Sequence, residues 1–143
     1  MGSRKHIRAE KIKEEKKSLY FAKLTNNPSS PRKTRLMADL IRGVNVDKAL
    51  QILLHSPKES AIKLRKLLMS AIANWQAKNE GLRMEDSNLY VKEIFVDGGR
   101  QLKRMRPAPQ GRGHKISKRS SHITMLVDSR ANVTTTIKDE ISE

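Results

Sequence analysis

The sequence predicts an α+β fold, with three helices packed on a small antiparallel sheet and a long protruding β-hairpin. Three observations predict it. Apolar residues recur at helical spacing in three stretches between residues 31 and 79. Short β-favouring runs lie outside them, at 19–24, 89–96 and 122–127. The last two runs are separated by a cationic stretch with a Pro/Gly turn in its middle.

Residues 1–18 open the chain as a basic N-terminal tail, with Arg4, Lys5, Arg8, Lys11, Lys13, Lys16 and Lys17 against Glu10, Glu14 and Glu15. Its larger apolar residues, Met1, Ile7 and Ile12, cannot bury much, which predicts a mobile or partner-ordered arm. Residues 19–128 form the single domain and residues 129–143 a C-terminal tail.

The domain begins with a strand at 19–24, Tyr20, Ala22 and Leu24 sharing one side, and Asn26-Asn27-Pro28 breaks it. Ser30 before Pro31 reads as an N-cap with proline in the first turn. That helix runs to about Arg42 with Leu36, Met37, Leu40 and Ile41 inward, and Gly43 stops it. Asn45 caps a second helix, with Asp47 in its first turn and Ala49, Leu50, Leu53 and Leu54 as its apolar face.

Ser56-Pro57-Lys58-Glu59 reads as a capping box opening the third and strongest helix. Ala61, Leu64, Leu68, Ala71 and Trp75 alternate at threes and fours, and Ile62, Leu67 and Ile72 widen the stripe. Asn79 and Gly81 end it. Residues 89–96 then supply Val91, Ile94, Phe95 and Val96 to a strand. In the last strand Ile123, Met125 and Val127 face one way, and His122, Thr124 and Leu126 the other.

The charge is the main clue to function. The 143 residues hold 30 Lys+Arg against 15 Asp+Glu, a formal charge of +15, which repels itself unless a polyanion answers it. Nucleic acid is the first candidate and an anionic membrane surface the second. The cysteine count is zero, which excludes disulfides and thiolate metal sites and fits a reducing compartment such as the cytoplasm. No apolar run is long enough to span a membrane. Aromatic residues make up 3%, which argues against an extended base-stacking platform.

The charge concentrates in residues 98–121, which hold Arg100, Lys103, Arg104, Arg106, Arg112, Lys115, Lys118 and Arg119 and no acid. Pro107-Ala108-Pro109-Gln110-Gly111 turns the chain midway. Strand, basic run, turn, basic run, strand reads as one hairpin, each arm reaching roughly 35–40 Å at about 3.3 Å per residue. An isolated two-stranded ribbon is marginal in water, so a partner is expected to hold it. Guanidinium forks and lysine point charges suit phosphate. Arg32, Lys33 and Arg35 form a second basic set at a helix start, where backbone N–H groups also favour phosphate.

An RNA-acting enzyme is the alternative class. His6, His55, His114, His122 and Asp97 are its acid–base candidates, but they show no metal spacing, nucleophile motif or glycine-rich phosphate loop. His114 and His122 lie among cations, which suits phosphate contact better than proton transfer. Neither cofactor, metal nor small-molecule substrate is expected. An adaptor using charge alone is the third class, and predicts weak preference between RNAs and no ordered hairpin.

The chain resembles the bacterial family of the large-subunit ribosomal protein numbered twenty-two. The resemblance rests on Ser30-Pro31-Arg32-Lys33, Ala38-Asp39-Leu40-Ile41-Arg42-Gly43, Ala71-Ile72-Ala73-Asn74, Ile94-Phe95-Val96-Asp97, Gly111-Arg112 and Lys118-Arg119-Ser120-Ser121-His122-Ile123-Thr124. It covers roughly residues 20–128 in one order. It implies a structural constituent of the large subunit that binds 23S rRNA early in assembly and sends its hairpin along the nascent-peptide exit tunnel.

The rRNA-binding residues it implies, with the charge pattern, are Arg32, Lys33, Arg35, Arg100, Lys103, Arg104, Arg106, Arg112, His114, Lys115, Lys118, Arg119 and His122. The implied tunnel lining is Leu102, Lys103, Arg104, Met105, Arg106 and Pro107. Leu102-Lys103-Arg104 matches the stretch near the tunnel constriction and the macrolide-binding region. Large-subunit protein number four would face it there. One departure stands out. Members commonly have a further basic residue in the tip, where this chain has Pro107-Ala108-Pro109, which removes position 108 from the expected phosphate contacts and would stiffen the tip.

Overall fold

A computed structural model describes residues 3–79 and 87–130. Its elements run α1 (Ser3–Ser18), β1 (Tyr20–Asn27), α2 (Pro31–Ile41), α3 (Val46–His55), α4 (Glu59–Lys78), β2 (Leu89–Pro107) and β3 (Gly113–Ser129), with a 3-10 turn at Pro109–Gly111. The class is α+β, with four α-helices among the described residues rather than the three expected. The fourth is α1, which forms over the charged N-terminal stretch and buries nothing. A His6–Glu10 pair at 3.4 Å spans one of its turns. The expected helix end at Gly81 and most of the expected C-terminal tail lie outside the described residues.

The three strands form one antiparallel sheet in the order β1-β3-β2. Alternation decides its two faces. Ala22 of β1, Ile123, Met125 and Val127 of β3, and Val91, Ile94 and Val96 of β2 all point into the core. There they meet Met37, Ala38 and Ile41 of α2, Ala49 and Leu53 of α3, and the stripe Ala61, Leu64, Leu68, Ala71 and Trp75 of α4. Each large side chain removed from water there contributes roughly 1.5–3 kcal/mol. Trp75 is a core anchor, 2% exposed, with its ring edge-on to Tyr20 at 6.3 Å. The opposite face of the sheet is only half covered. His122, Thr124 and Leu126 are partly exposed there, and Phe21 and Phe95 more so.

Several local expectations differ from the structure. Leu36 and Leu40 point outward, as do Leu54 and Ile62. Periodicity defines an apolar arc but not which part of that arc meets the sheet. Ser56 does not cap α4, which starts later at Glu59 after Lys58. The Ser56 hydroxyl donates instead to Met37 Sδ at 3.4 Å, tying the loop to the core. Ser30 and Asn45 occupy N-cap positions without side-chain cap bonds. Gly43 does end α2. Its φ of +75° is the left-handed conformation glycine adopts freely, and its N–H donates to Val91 O at 2.8 Å.

The outer edges of the sheet are partly satisfied by donors from the helices and by a loop carbonyl. On β1, Asn74 Nδ2 donates to Phe21 O at 3.0 Å, and just before it Lys78 Nζ donates to Leu19 O at 2.9 Å. On β2, Val91 N–H donates to Val44 O at 3.0 Å. Arg42 Nη2 reaches Ile94 O at 3.2 Å, and the Arg35 guanidinium takes Val96 O.

Candidate nucleic-acid interface

β2 and β3 stay paired beyond the core, from Gln101↔Arg119 to Pro107↔Gly113. Residues 101–107 and 113–119 are exposed on both faces, so they form a two-stranded ribbon on which no layer of the described residues packs. The register sorts its side chains. Lys103, Met105, Lys115 and Arg119 share one face, and Leu102, Arg104, Arg106, His114, Ile116 and Lys118 the other. Met105 is 79% exposed, and Leu102 and Ile116 lie open among the cations. Among the described residues no ribbon cation is in an ion pair. Arg104 Nη1 donates only to its neighbour's carbonyl, Lys103 O, at 2.9 Å.

The turn closes through Ala108 N–H to Arg112 O at 2.8 Å, with Gln110 and Gly111 at positive φ. Arg112 follows directly and Pro109 sits within it.

The ribbon leaves the body at a bulge. Between Gly98↔Ser121 and Gln101↔Arg119, β2 spends one residue more than β3. Ser120 Oγ donates to Arg100 O at 2.5 Å and pins the extra residue. A Cβ at position 99 would lie 2.7 Å from Ser120 Oγ and 3.2 Å from both His122 Nε2 and the Ser120 backbone carbon, so a side chain there would push the Ser120 hydroxyl off Arg100 O. A second bulge faces it on β1, between Leu24 and Asn27, where Asn26 takes φ +55°. His122 serves this bulge, its Nδ1 accepting the Asn26 N–H at 3.0 Å, which places the ring proton on Nε2. The imidazole therefore supports the ribbon root, and only Nε2 is left to face outward.

The basic set on α2 divides. Arg32 and Lys33 are exposed at the helix start. Arg35 donates through Nε at 3.2 Å and Nη2 at 2.8 Å to Val96 O, so part of its fork is committed to the edge of β2. Its remaining N–H groups stay available.

Two clefts open at the ribbon root, and Asn26 and Pro28 line both. One, about 430 Å³, lies between β1 and α4 and is lined by Lys23, Lys63 and Lys66 with Leu24 and Leu67. The other, about 350 Å³, is lined by Arg100, Lys118, Arg119 and Leu102. The sequence reading missed Lys23, Lys63 and Lys66, since no spacing in the chain links β1 to α4. Lys63 shares its charge with Glu59 at 2.8 Å, and that hydrogen bond, then the lysine's charge, holds the Glu59 carboxyl below its ordinary value. On β2, Lys92 is raised by its hydrogen bond and ion pair to Asp128 at 2.7 Å.

The acid–base candidates are scattered. His6 is on α1, His55 Nδ1 lies 2.9 Å from Gln51 O, His114 is near the ribbon tip, and Asp97 stands opposite His122 in the register. No group of three or more His, Cys, Asp or Glu able to hold a metal occurs among the described residues. No described helix is long and apolar enough to cross a membrane.

Fold and site define a basic α+β protein that carries its charge on an exposed two-stranded ribbon. The family described as Ribosomal protein L22p/L17e matches residues 22–128, and the chain belongs to that family. The chain is 62% identical over 132 residues to the large ribosomal subunit protein uL22 of Christiangramia forsetii, covering 92% of this chain and 98% of that one. It is 61% identical to the protein of that name from Bacteroides fragilis, covering 92% and 96%, and 55% identical to that of Porphyromonas gingivalis, covering 92% and 98%. Membership makes it a structural ribosomal protein and not an enzyme.

Proposed function

We propose that this protein is a constituent of the large ribosomal subunit that binds 23S rRNA, supports early subunit assembly and lines the nascent-peptide exit tunnel with its ribbon. The ribbon carries this reading. It places six cations and no acid on a strand pair exposed on both faces, with Arg100 at its root and Arg112 in its turn, and among the described residues none of the eight is in an ion pair. Such a structure needs a phosphate-lined surround to offset both the marginal stability of a bare ribbon and the repulsion along it. Phosphate contacts are assigned to Arg100, Lys103, Arg104, Arg106, Arg112, His114, Lys115, Lys118 and Arg119, with Arg32, Lys33 and the free part of Arg35 anchoring the body. His122 contributes through Nε2.

Leu102, Lys103, Arg104, Met105, Arg106 and Pro107 are the proposed tunnel lining, with large-subunit protein number four across the constriction. Met105 and Leu102 suit that place, since exposed apolar side chains on a cationic strand offer a passing peptide a surface that RNA alone lacks. The test is a hydroxyl-radical footprint of the full chain on 23S rRNA. The expected result is a discrete protected set that shrinks in the Lys103→Ala/Arg104→Ala/Lys115→Ala protein. Uniform weak protection across unrelated RNAs would replace this reading with a charge-only adaptor.

A further inference from the structure

The cations at the ribbon root continue onto the body. Lys23, Lys63 and Lys66 stand on one side of Asn26 and Pro28, and Arg100, Lys118 and Arg119 on the other. Among the described residues no acid lines either cleft. Each cleft falls in the roughly 300–1,000 Å³ range of sites that take a small molecule, and each has apolar wall as well as charge.

We infer that the joined clefts hold an unpaired RNA segment that passes from the ribbon onto the body, its phosphates on the six cations and a base turned in beside Asn26 and Pro28. This rests on the ribbon being an RNA-binding element. A duplex keeps its bases stacked inside, whereas an unpaired strand can splay one into a cleft with apolar walls such as Leu24 and Leu67. Asn26 is placed for such a base. Its backbone is held by His122, while its exposed carboxamide makes no hydrogen bond among the described residues. A carboxamide presents a donor and an acceptor side by side, the pattern that matches a base edge.

Asn27 gives an independent sign. It lines the first cleft, is 2% exposed, and donates through Nδ2 to Ser121 Oγ at 3.1 Å. Its Oδ1 is buried and has no donor among the described residues. Buried acceptors are nearly always satisfied, and a shift of the cleft wall that uncovers this one would let a ribose 2′-hydroxyl or a base amino group supply the missing donor. Continuity of the positive charge from ribbon to α4 favours a single polyanionic chain as occupant over an acidic protein segment.

The chain has no cysteine, so single cysteines can carry a tethered iron chelate. Ser70→Cys places the probe in the first cleft, and Ser117→Cys places it on the ribbon as reference. Each full-length protein is assembled with 23S rRNA and hydroxyl radicals are generated at the probe. Both probes are expected to cut the RNA, with the Ser70 cuts centred on unpaired nucleotides. Adding Lys23→Ala and Lys66→Ala is expected to weaken those cuts and make the log affinity–log salt slope shallower by about 1.4, the single-strand value for two contacts. Asn26→Gly keeps the left-handed backbone, and is expected to lower affinity several-fold with the slope unchanged. Ribbon cuts without Ser70 cuts, or Ser70 cuts confined to duplex, would overturn the inference and leave the ribbon reading standing. Silence from both probes would overturn both.

Discussion

Single residues divide here into those that hold the protein together and those left for a partner. Leu68 is wholly buried in the α4 stripe, and Leu68→Ala is expected to cost about 2–5 kcal/mol, by lost burial and the cavity left behind. The one hydrogen bond of the Arg104 side chain among the described residues goes to the carbonyl next to it, on an exposed ribbon, so Arg104→Ala is expected to leave the melting temperature of the free protein almost unchanged. Thermal melts of the two variants check the ranking, and the reverse order would make the ribbon part of the core. The α4 stripe was readable in the sequence because Ala61, Leu64, Leu68, Ala71 and Trp75 repeat at the helical period and all of them are buried. Leu36, Leu40, Leu54 and Ile62 fit the same pattern and are exposed, because the period says nothing about where the neighbouring element lies. His122 and Arg35 read as phosphate ligands from their charge. Their partners, Asn26 and Val96, lie 96 and 61 residues away in sequence, beyond the reach of any local signal.

Among the elements, β2 and β3 show how one strand can live in two environments. Near the core their alternation is buried and exposed, and beyond the glycine bulge it is exposed throughout. The long hairpin was legible in sequence as strand, basic run, turn, basic run and strand, but the bulge between Gly98 and Gln101 was not, because it is defined by the register against β3 and not by any local residue pattern. With no packed layer, the ribbon's hydrogen bonds open locally at little cost. Residues 100–118 are therefore expected to exchange amide protons rapidly in the free protein and slowly on RNA; strong protection in the isolated chain would count against this. Register gives a further consequence. Leu102, Lys103 and Arg104 pair with Lys118, Ser117 and Ile116. Deleting 102–104 removes an odd number of residues, so the rest of the arm presents its opposite face, and two cations are lost. The deleted protein is expected to enter subunits through its remaining contacts, yet alter tunnel width and macrolide response. An unaltered constriction with unchanged drug sensitivity would reduce this stretch to a spacer.

The whole molecule is a positively charged body and arm, and its affinity should follow salt accordingly. If six to eight side chains neutralise phosphates, log affinity should fall against log salt with a slope of roughly −5 to −7. Filter binding from low to moderate salt measures it, and a slope near zero would remove electrostatics as the source of binding. The same charge was legible from composition alone, whereas the clefts at the ribbon root were not, because they are made by β1, α4 and the ribbon meeting in space.

The helix side chains that cover the sheet's borders have one more effect. A strand with bare carbonyls and amides invites a second strand to join it. Asn74, Lys78, Arg35 and Arg42 occupy carbonyls along those borders, and three of the four bring a positive charge to the rim. A second molecule approaching edge to edge meets both a filled hydrogen-bond position and like charge. The borders thus work against edge-to-edge joining of copies of this chain, a step that would otherwise seed an aggregate.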